Sequence, residues 1–164
     1  MDQSCTYIFG YGSLLNPQSR KSTCEELELF QNVKLRGYRR VLNACHESYS
    51  HIAMNIEPAL EKSVEGVVVA VSEADMPALL EREVEYDMIE VTKQLSKSFS
   101  EPVYTFMMPN PVLLPHSEFR QEYLNRCLLG VPKSERRQWL LETKFPYTDV
   151  SVEAMLEEVC ESWS

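Results

Sequence analysis

The sequence predicts an α+β fold built on a mixed, mostly antiparallel sheet or barrel with helices packed around it. Three observations carry that prediction. Short β-branched and aromatic runs, bounded by glycine, proline and asparagine, fill the first two thirds of the chain, whereas the last third carries apolar residues at helical spacing. Strands do not alternate one by one with helices, which a parallel sheet of βα units would require.

The elements follow in order. Thr6-Tyr7-Ile8-Phe9-Gly10 reads as a buried first strand that stops at the glycine-punctuated turn Gly10-Tyr11-Gly12-Ser13. Asn16-Pro17 offers an N-cap followed by proline at the first helical position, which starts a short helix through Ser19 and Arg20. Leu29 to Asn43 reads as two strand pieces joined by a bend or bulge around Arg36-Gly37-Tyr38. His51 to Ile56 and Val64 to Val71 read as two further strands, the second with the unbroken valines of a central position. Ser72 opens a capped helix whose apolar stripe is Met76, Leu79 and Leu80, running to about Arg82 and giving way to strand near Tyr86. Met88 to Leu95 and Pro102 to Met107 supply two more strands, and the prolines Pro109, Pro111 and Pro115 then mark a loop. Glu118 to Leu129, with Phe119, Tyr123, Leu124 and Cys127 on one face and Gly130 as C-cap, reads as helix, as do Ser134 to Thr143 and Val150 to Trp163.

Composition bounds the function. The 164 residues favour one domain spanning 1–164, with 44% apolar and 25% charged residues, enough to bury about 68–70% of the unfolded surface. Twenty-five acidic against sixteen basic residues give a net charge of −9, which opposes the phosphate neutralisation on which nucleic-acid binding depends, so no nucleic-acid or anionic-membrane partner is expected. No stretch approaches the roughly 18 apolar residues of a membrane helix, and a soluble, cytoplasmic protein is the expectation. The cysteines Cys5, Cys24, Cys45, Cys127 and Cys160 are odd in number and never spaced CxxC, so they read as reduced thiols. His46, His51 and His116 lack a second cluster of ligands, and neither a metal nor another cofactor is expected.

Two segments suggest chemistry. Gly10-Tyr11-Gly12-Ser13-Leu14-Leu15 lies between a buried strand and a proline-started turn, where glycine lets backbone N–H groups converge on a small anionic ligand or simply makes a tight turn. It lacks the lysine of a phosphate-binding P-loop and the third glycine of a dinucleotide fingerprint. Glu81-Arg82-Glu83-Val84-Glu85-Tyr86 lies where a helix runs into a strand, and a carboxylate there is either solvated surface or a partly desolvated general base.

Tyr7-Ile8-Phe9-Gly10-Tyr11-Gly12-Ser13-Leu14 resembles the opening signature of the gamma-glutamylcyclotransferase-like superfamily. Leu35-Arg36-Gly37-Tyr38-Arg39-Arg40 is similar to its second-strand motif, and Val64-Glu65-Gly66-Val67-Val68 to a later strand. Leu79-Leu80-Glu81-Arg82-Glu83, with Tyr86 after it, resembles the helix-to-strand segment that carries the family's catalytic glutamate, and Pro102-Val103-Tyr104-Thr105-Phe106 also fits. The likeness follows the family's order over most of the chain, down to the helices with Tyr123-Leu124 and Leu140-Leu141-Glu142-Thr143, and is nearest to small bacterial members.

The resemblance implies a strongly curved mixed sheet closing toward a barrel, and release of 5-oxoproline from a γ-glutamyl compound. It implies Glu83 as general base, the backbone of Gly12, Ser13 and Leu14 as the holder of the glutamyl end, and Tyr11 and Tyr104 as cleft walls; the tyrosines equally suit a core with satisfied hydroxyls. Two positions depart from the family pattern. Leu14 stands where some members have asparagine, and Val84-Glu85 stands where many have glycine, so a second carboxylate falls near the base, with solvent the expected direction for Glu85. Two other readings compete. A hydrolase would draw on Cys45-His46, yet adjacent strand residues point to opposite faces, and Cys45 suits a buried small hydrophobe. A non-catalytic ligand-binding or interaction domain would use the same scaffold, with the C-terminal stripe Met155, Leu156 and Val159 either docking a partner or packing on its own domain.

Overall fold

The computed structural model describes residues 4–47 and 49–159. Six strands and five helices follow one another as β1 (Cys5–Gly10), α1 (Pro17–Lys21), β2 (Glu26–His46), β3 (Tyr49–Ser72), α2 (Met76–Arg82), β4 (Asp87–Glu90), β5 (Val103–Met107), α3 (Gln121–Leu128), α4 (Arg136–Leu141), β6 (Thr143–Lys144) and α5 (Val152–Glu157). The strands form one sheet in the order β4-β5-β1-β3-β2-β6. Its pairings are antiparallel except β1 with β5 and β2 with β6. The fold is thus α+β with a mixed, mostly antiparallel sheet. The sheet stops short of the barrel: β4 and β6 remain its two edges.

The long hairpin of β2 and β3 makes the curvature. Sequence reading divides each into shorter pieces, but the chain stays extended through Pro58 and Ser63, paired opposite Tyr38 and Arg36. Register shifts at five places along β2 bend the pair without breaking it, and Asn32 (φ 57°) and Gly37 (φ 85°) sit at two of them. An internal proline or charged stretch reads locally as a break, whereas a bulged ladder absorbs it.

Alternation along β1 separates two cores. Phe9 joins the larger core with Leu35, Val68, Leu124, Leu128, Leu140 and Met155, on the side covered by α3, α4 and α5. Ile8 joins a smaller one with Cys24, Val69, Val71, Leu79 and Phe106, covered by α2 and the segment after α1. Leu79 is 1% exposed and anchors α2, whereas Leu80, expected on the same stripe, faces solvent. The strand expected over Met88 to Leu95 is only four residues long, because Thr92–Gln94 turn into a single 3₁₀ turn. The buried Arg40 guanidinium donates to the Trp139 carbonyl and Thr143 hydroxyl and stacks on the Trp139 ring, fastening α4 and the unexpected β6 to β2. Gln121 and Asn125 donate to the carbonyls of Met155 and Glu158, so α5 packs on its own domain. Cys160, Trp163 and the end of the helix expected there lie outside the described residues.

Candidate active site

Where β1 ends, the chain leaves the sheet through Tyr11 and Gly12 into a 3₁₀ turn, Ser13–Leu15, and a cleft of about 450 Å³ opens there. Its walls are the loop after β1, Ser19 and Thr23 around α1, Arg82, Glu83 and Tyr86 at the exit of α2, and His51, Met54, Tyr123 and Arg126 from β3 and α3. Tyr123 also joins these walls: its hydroxyl accepts from the Met54 amide (2.9 Å), and its ring stacks on His51 with centroids 4.8 Å apart.

The turn after β1 forms one wall, fixed from several sides. Asn16 caps α1 as expected, its side-chain oxygen accepting from the amides of Gln18 and Ser19, while its amide nitrogen donates to the Arg126 carbonyl. Arg20, 3% exposed, donates to the carbonyls of Leu14 and Leu15. In a helical turn the carbonyls point toward its end and the N–H groups toward its start. Among the described residues, no protein acceptor is found for the amides of Gly12, Ser13 and Leu14. Gly130 packs from behind: a Cβ there would lie 2.3 Å from the Leu15 carbonyl carbon and oxygen. At Gly12 a Cβ would lie 3.0 Å from the Met54 Cβ, so a larger side chain would press on the cleft wall.

The opposite wall carries the carboxylate. Glu83 ends α2; its amide donates to the Leu79 carbonyl (3.0 Å), and its own carbonyl accepts from the Tyr86 amide (2.9 Å). Its side chain is 13% exposed, and burial pushes its carboxyl above the usual carboxylate range, with the Arg82 guanidinium pulling the other way. The Tyr86 hydroxyl donates to the Met54 carbonyl (2.8 Å), tying this segment to β3. Glu85 does not point freely to solvent: it pairs with His46 at 2.7 Å, away from the cleft. One carboxylate therefore faces the cleft, and the two do not share a site.

Of the residues singled out from the sequence, Tyr11, Gly12, Ser13, Leu14 and Glu83 meet in the cleft, although 68 positions or more separate the glutamate from the others. The Tyr11 hydroxyl donates to the Phe106 carbonyl at 2.6 Å, so this tyrosine is both cleft wall and satisfied core residue. Tyr104 is not among the lining residues. The parallel register sets it opposite Ile8, two positions short of the end of β1, and it packs on the smaller core; Phe106, two residues on, lines the cleft instead. Cys45 is buried, its thiol pushed up by burial, and it does not line the cleft, so the Cys45-His46 hydrolase reading finds no activated nucleophile here.

Arg82, His51 and Tyr123 are cleft residues that sequence reading missed. Only Arg82 carried a local signal, as the neighbour of Glu83. Among the described residues, no three His, Cys, Asp or Glu side chains gather as a metal site, and no helix is long and apolar enough to cross a membrane. The arrangement sets one partly desolvated carboxylate in the same small cleft as a turn whose first backbone amides have no protein acceptor among the described residues. Such a site can bind a small molecule carrying an anionic or carbonyl oxygen and exchange a proton with it.

Known proteins share this fold. No curated protein matches the chain. Among solved structures it is similar to a gamma-glutamyl cyclotransferase (TM-score 0.68, 18% identity, covering 94% of this chain and 99% of the other). It is also similar to the uncharacterized protein loc79017 from Homo sapiens (TM-score 0.65, 18% identity, 94% and 99% covered). A third likeness is to a gamma-glutamyl cyclotransferase specific to glutathione from yeast (TM-score 0.51, 13% identity, 95% and 96% covered). At these identities the likeness establishes the fold. The family model described as gamma-glutamyl cyclotransferase, AIG2-like matches residues 8–125, which hold the end of β1, the turn after it and Glu83. The chain belongs to the gamma-glutamyl cyclotransferase, AIG2-like family.

Proposed function

We propose that this protein releases 5-oxoproline from a γ-glutamyl compound, with Glu83 as the general base. The observation that carries the reading is that Glu83, its carboxyl partly desolvated, lines one cleft together with the turn of Gly12, Ser13 and Leu14. Those amides and the substrate's glutamyl oxygens are complementary in charge and hydrogen bonding.

The chemistry then needs little from the protein beyond position and a proton acceptor. Glu83 takes a proton from the substrate's α-ammonium group, and the freed amine attacks its own γ-carbonyl carbon, closing a five-membered ring. Because nucleophile and electrophile belong to one molecule, holding the chain curled supplies much of the rate. Backbone amides stabilise the negative oxygen of the tetrahedral intermediate. The bond to the leaving nitrogen breaks as Glu83 returns its proton there, and the ring nitrogen, which carries two hydrogens after the attack, sheds one to solvent, so that 5-oxoproline and a free amine leave and the carboxylate is restored. Burial suits Glu83 to both roles, because a carboxylate with a raised pKa is a better proton acceptor than a solvated one.

The test is a panel of γ-glutamyl compounds, including glutathione, a γ-glutamyl dipeptide, a γ-glutamyl amine and Nε-(γ-glutamyl)lysine, with mass detection of 5-oxoproline. Glu83→Gln is expected to keep the fold and lower turnover of any substrate found by about 10²–10⁴, the usual range for a positioned general base. Wild-type turnover in a folded Glu83→Gln protein would reject the role given to Glu83.

A further inference from the structure

Arg82 touches both walls of the cleft. Its Nη1 donates to the Ser19 carbonyl (2.7 Å) and the Thr23 hydroxyl (2.9 Å), and its Nη2 to the hydroxyls of Ser13 (2.9 Å) and Ser19 (2.7 Å). Its Nε lies 3.6 Å from Glu83 Oε1, and among the described residues Glu83 is the one carboxylate within ion-pair distance of it. The four acceptors of its fork are neutral, so among the described residues its charge is compensated by Glu83.

We propose that Arg82 is a positioning residue that couples the two walls: its fork sets the Ser13 turn against α1, and its charge is held beside the Glu83 carboxylate. The proposal rests on the reading of Glu83 as base, but its consequences are measurable without turnover. A guanidinium presents donors in two fixed directions, which an ammonium group on a lysine stem does not reproduce, whereas both carry the same charge. Substitution by lysine and by glutamine therefore separates the two halves of the role.

Other groups face Glu83. Tyr123 and Arg126 come from α3, His51 from β3, Tyr11 from the turn after β1, and Tyr86 from the same segment as Glu83. None of them is itself altered by a substitution at Arg82. Tyr123 is held neutral by burial, and Glu85 is engaged with His46, so the cation whose removal most changes the field at Glu83 is Arg82.

The experiment uses the full chain labelled with ¹³C at glutamate Cδ, with the Glu83 resonance identified by its loss in Glu83→Gln. In Arg82→Gln the Glu83 titration midpoint is expected to rise by about one pH unit, as when a carboxylate loses an adjacent cation, and in Arg82→Lys to stay near wild type. Binding of 5-oxoproline, measured by calorimetry as the probe of the Ser13 turn, is expected to weaken about tenfold in both variants through loss of the charge-bearing fork. Ser13→Ala, which removes one of the four acceptors, should weaken it less. An unchanged midpoint in folded Arg82→Gln, or wild-type 5-oxoproline binding in Arg82→Lys, would overturn the proposal. If Arg82→Gln does not fold, Arg82→Met, which keeps the aliphatic stem, is titrated in its place; loss of fold in both with unchanged binding in Arg82→Lys would make Arg82 a stability residue only. Wild-type turnover in Glu83→Gln would instead reject the base and leave the titration and binding results for Arg82 standing.

Discussion

The two walls of the cleft are held in different ways. The turn after β1 is fixed by its backbone groups: the Asn16 side chain caps the helix that follows, the buried Arg20 guanidinium holds its carbonyls, and Gly130 lets the chain after α3 close on the Leu15 backbone. The Glu83 segment hangs from the buried Leu79 and from side-chain ties, the Tyr86 hydroxyl on Met54, the His46–Glu85 pair and the Arg82 fork. A wall fixed by backbone packing fails as a unit when one contact is lost. A wall held by separate side-chain ties loses a little with each. Substitutions around the turn should therefore cost stability and binding together, whereas those around Glu83 should change activity or pH response at small cost to the fold.

The largest effect is expected at Gly130. A Cβ 2.3 Å from backbone atoms meets nothing that can swing aside, so Gly130→Ala should destabilise the protein by about 3 kcal/mol in urea unfolding, the upper end of ordinary overpacking. Asn16→Ala comes next, with about 2 kcal/mol, because the cap and a buried partner for the Arg126 carbonyl go together. Gly12→Val, pressing on Met54, should weaken 5-oxoproline binding more than Ser13→Ala does; equal binding by wild type and Gly12→Val would take this turn out of the site.

On the other wall, Tyr86→Phe should cost about 1 kcal/mol, the net value of one hydrogen bond. Glu85→Gln should cost under about 1 kcal/mol, as for a partly exposed pair, and leave turnover near wild type. Glu83→Gln should stabilise. A carboxyl whose pKa is raised by folding favours the folded state below its unfolded value, and that contribution is lost as pH rises through the folded value. The glutamine variant should accordingly melt higher than wild type at pH 8, with the gap closing toward pH 4. A gap that persists at pH 4 would mean that something other than ionisation of Glu83 is responsible.

The same contrast separates what the sequence displays from what it conceals. The turn was legible because its signals are local: the apolar run into Gly10, the Asn16-Pro17 cap and the glycines all act within a few residues. Glu83 could be placed at a helix exit from spacing, and only the family likeness distinguished it from Glu81 and Glu85. Tyr104 shows where such reasoning stops. Its place as a cleft wall came only from the family likeness, and which residue of β5 arrives at the cleft depends on how far β5 slides along β1, a parallel register that leaves no local trace. Arg82, His51 and Tyr123 were hidden for the same reason, since their contacts across 59 to 72 residues are set by the bulges of the β2–β3 hairpin and the docking of α3. The unbroken length of β2 and β3 was concealed by Pro58 and Gly37, which read locally as breaks and sit in the structure as paired or bulged positions.

The measurement that bears most directly on the proposed chemistry is the fate of water oxygen. A substrate identified in the γ-glutamyl panel is turned over in H₂¹⁸O, and the primary product is analysed by mass spectrometry before any slow exchange. Intramolecular attack by the substrate's own amine brings no water oxygen to the γ-carbonyl, so the account predicts unlabelled 5-oxoproline together with the free amine, at a similar rate in wild type and Cys45→Ala. Labelled glutamate as the primary product, or loss of activity in a well-folded Cys45→Ala protein, would contradict it.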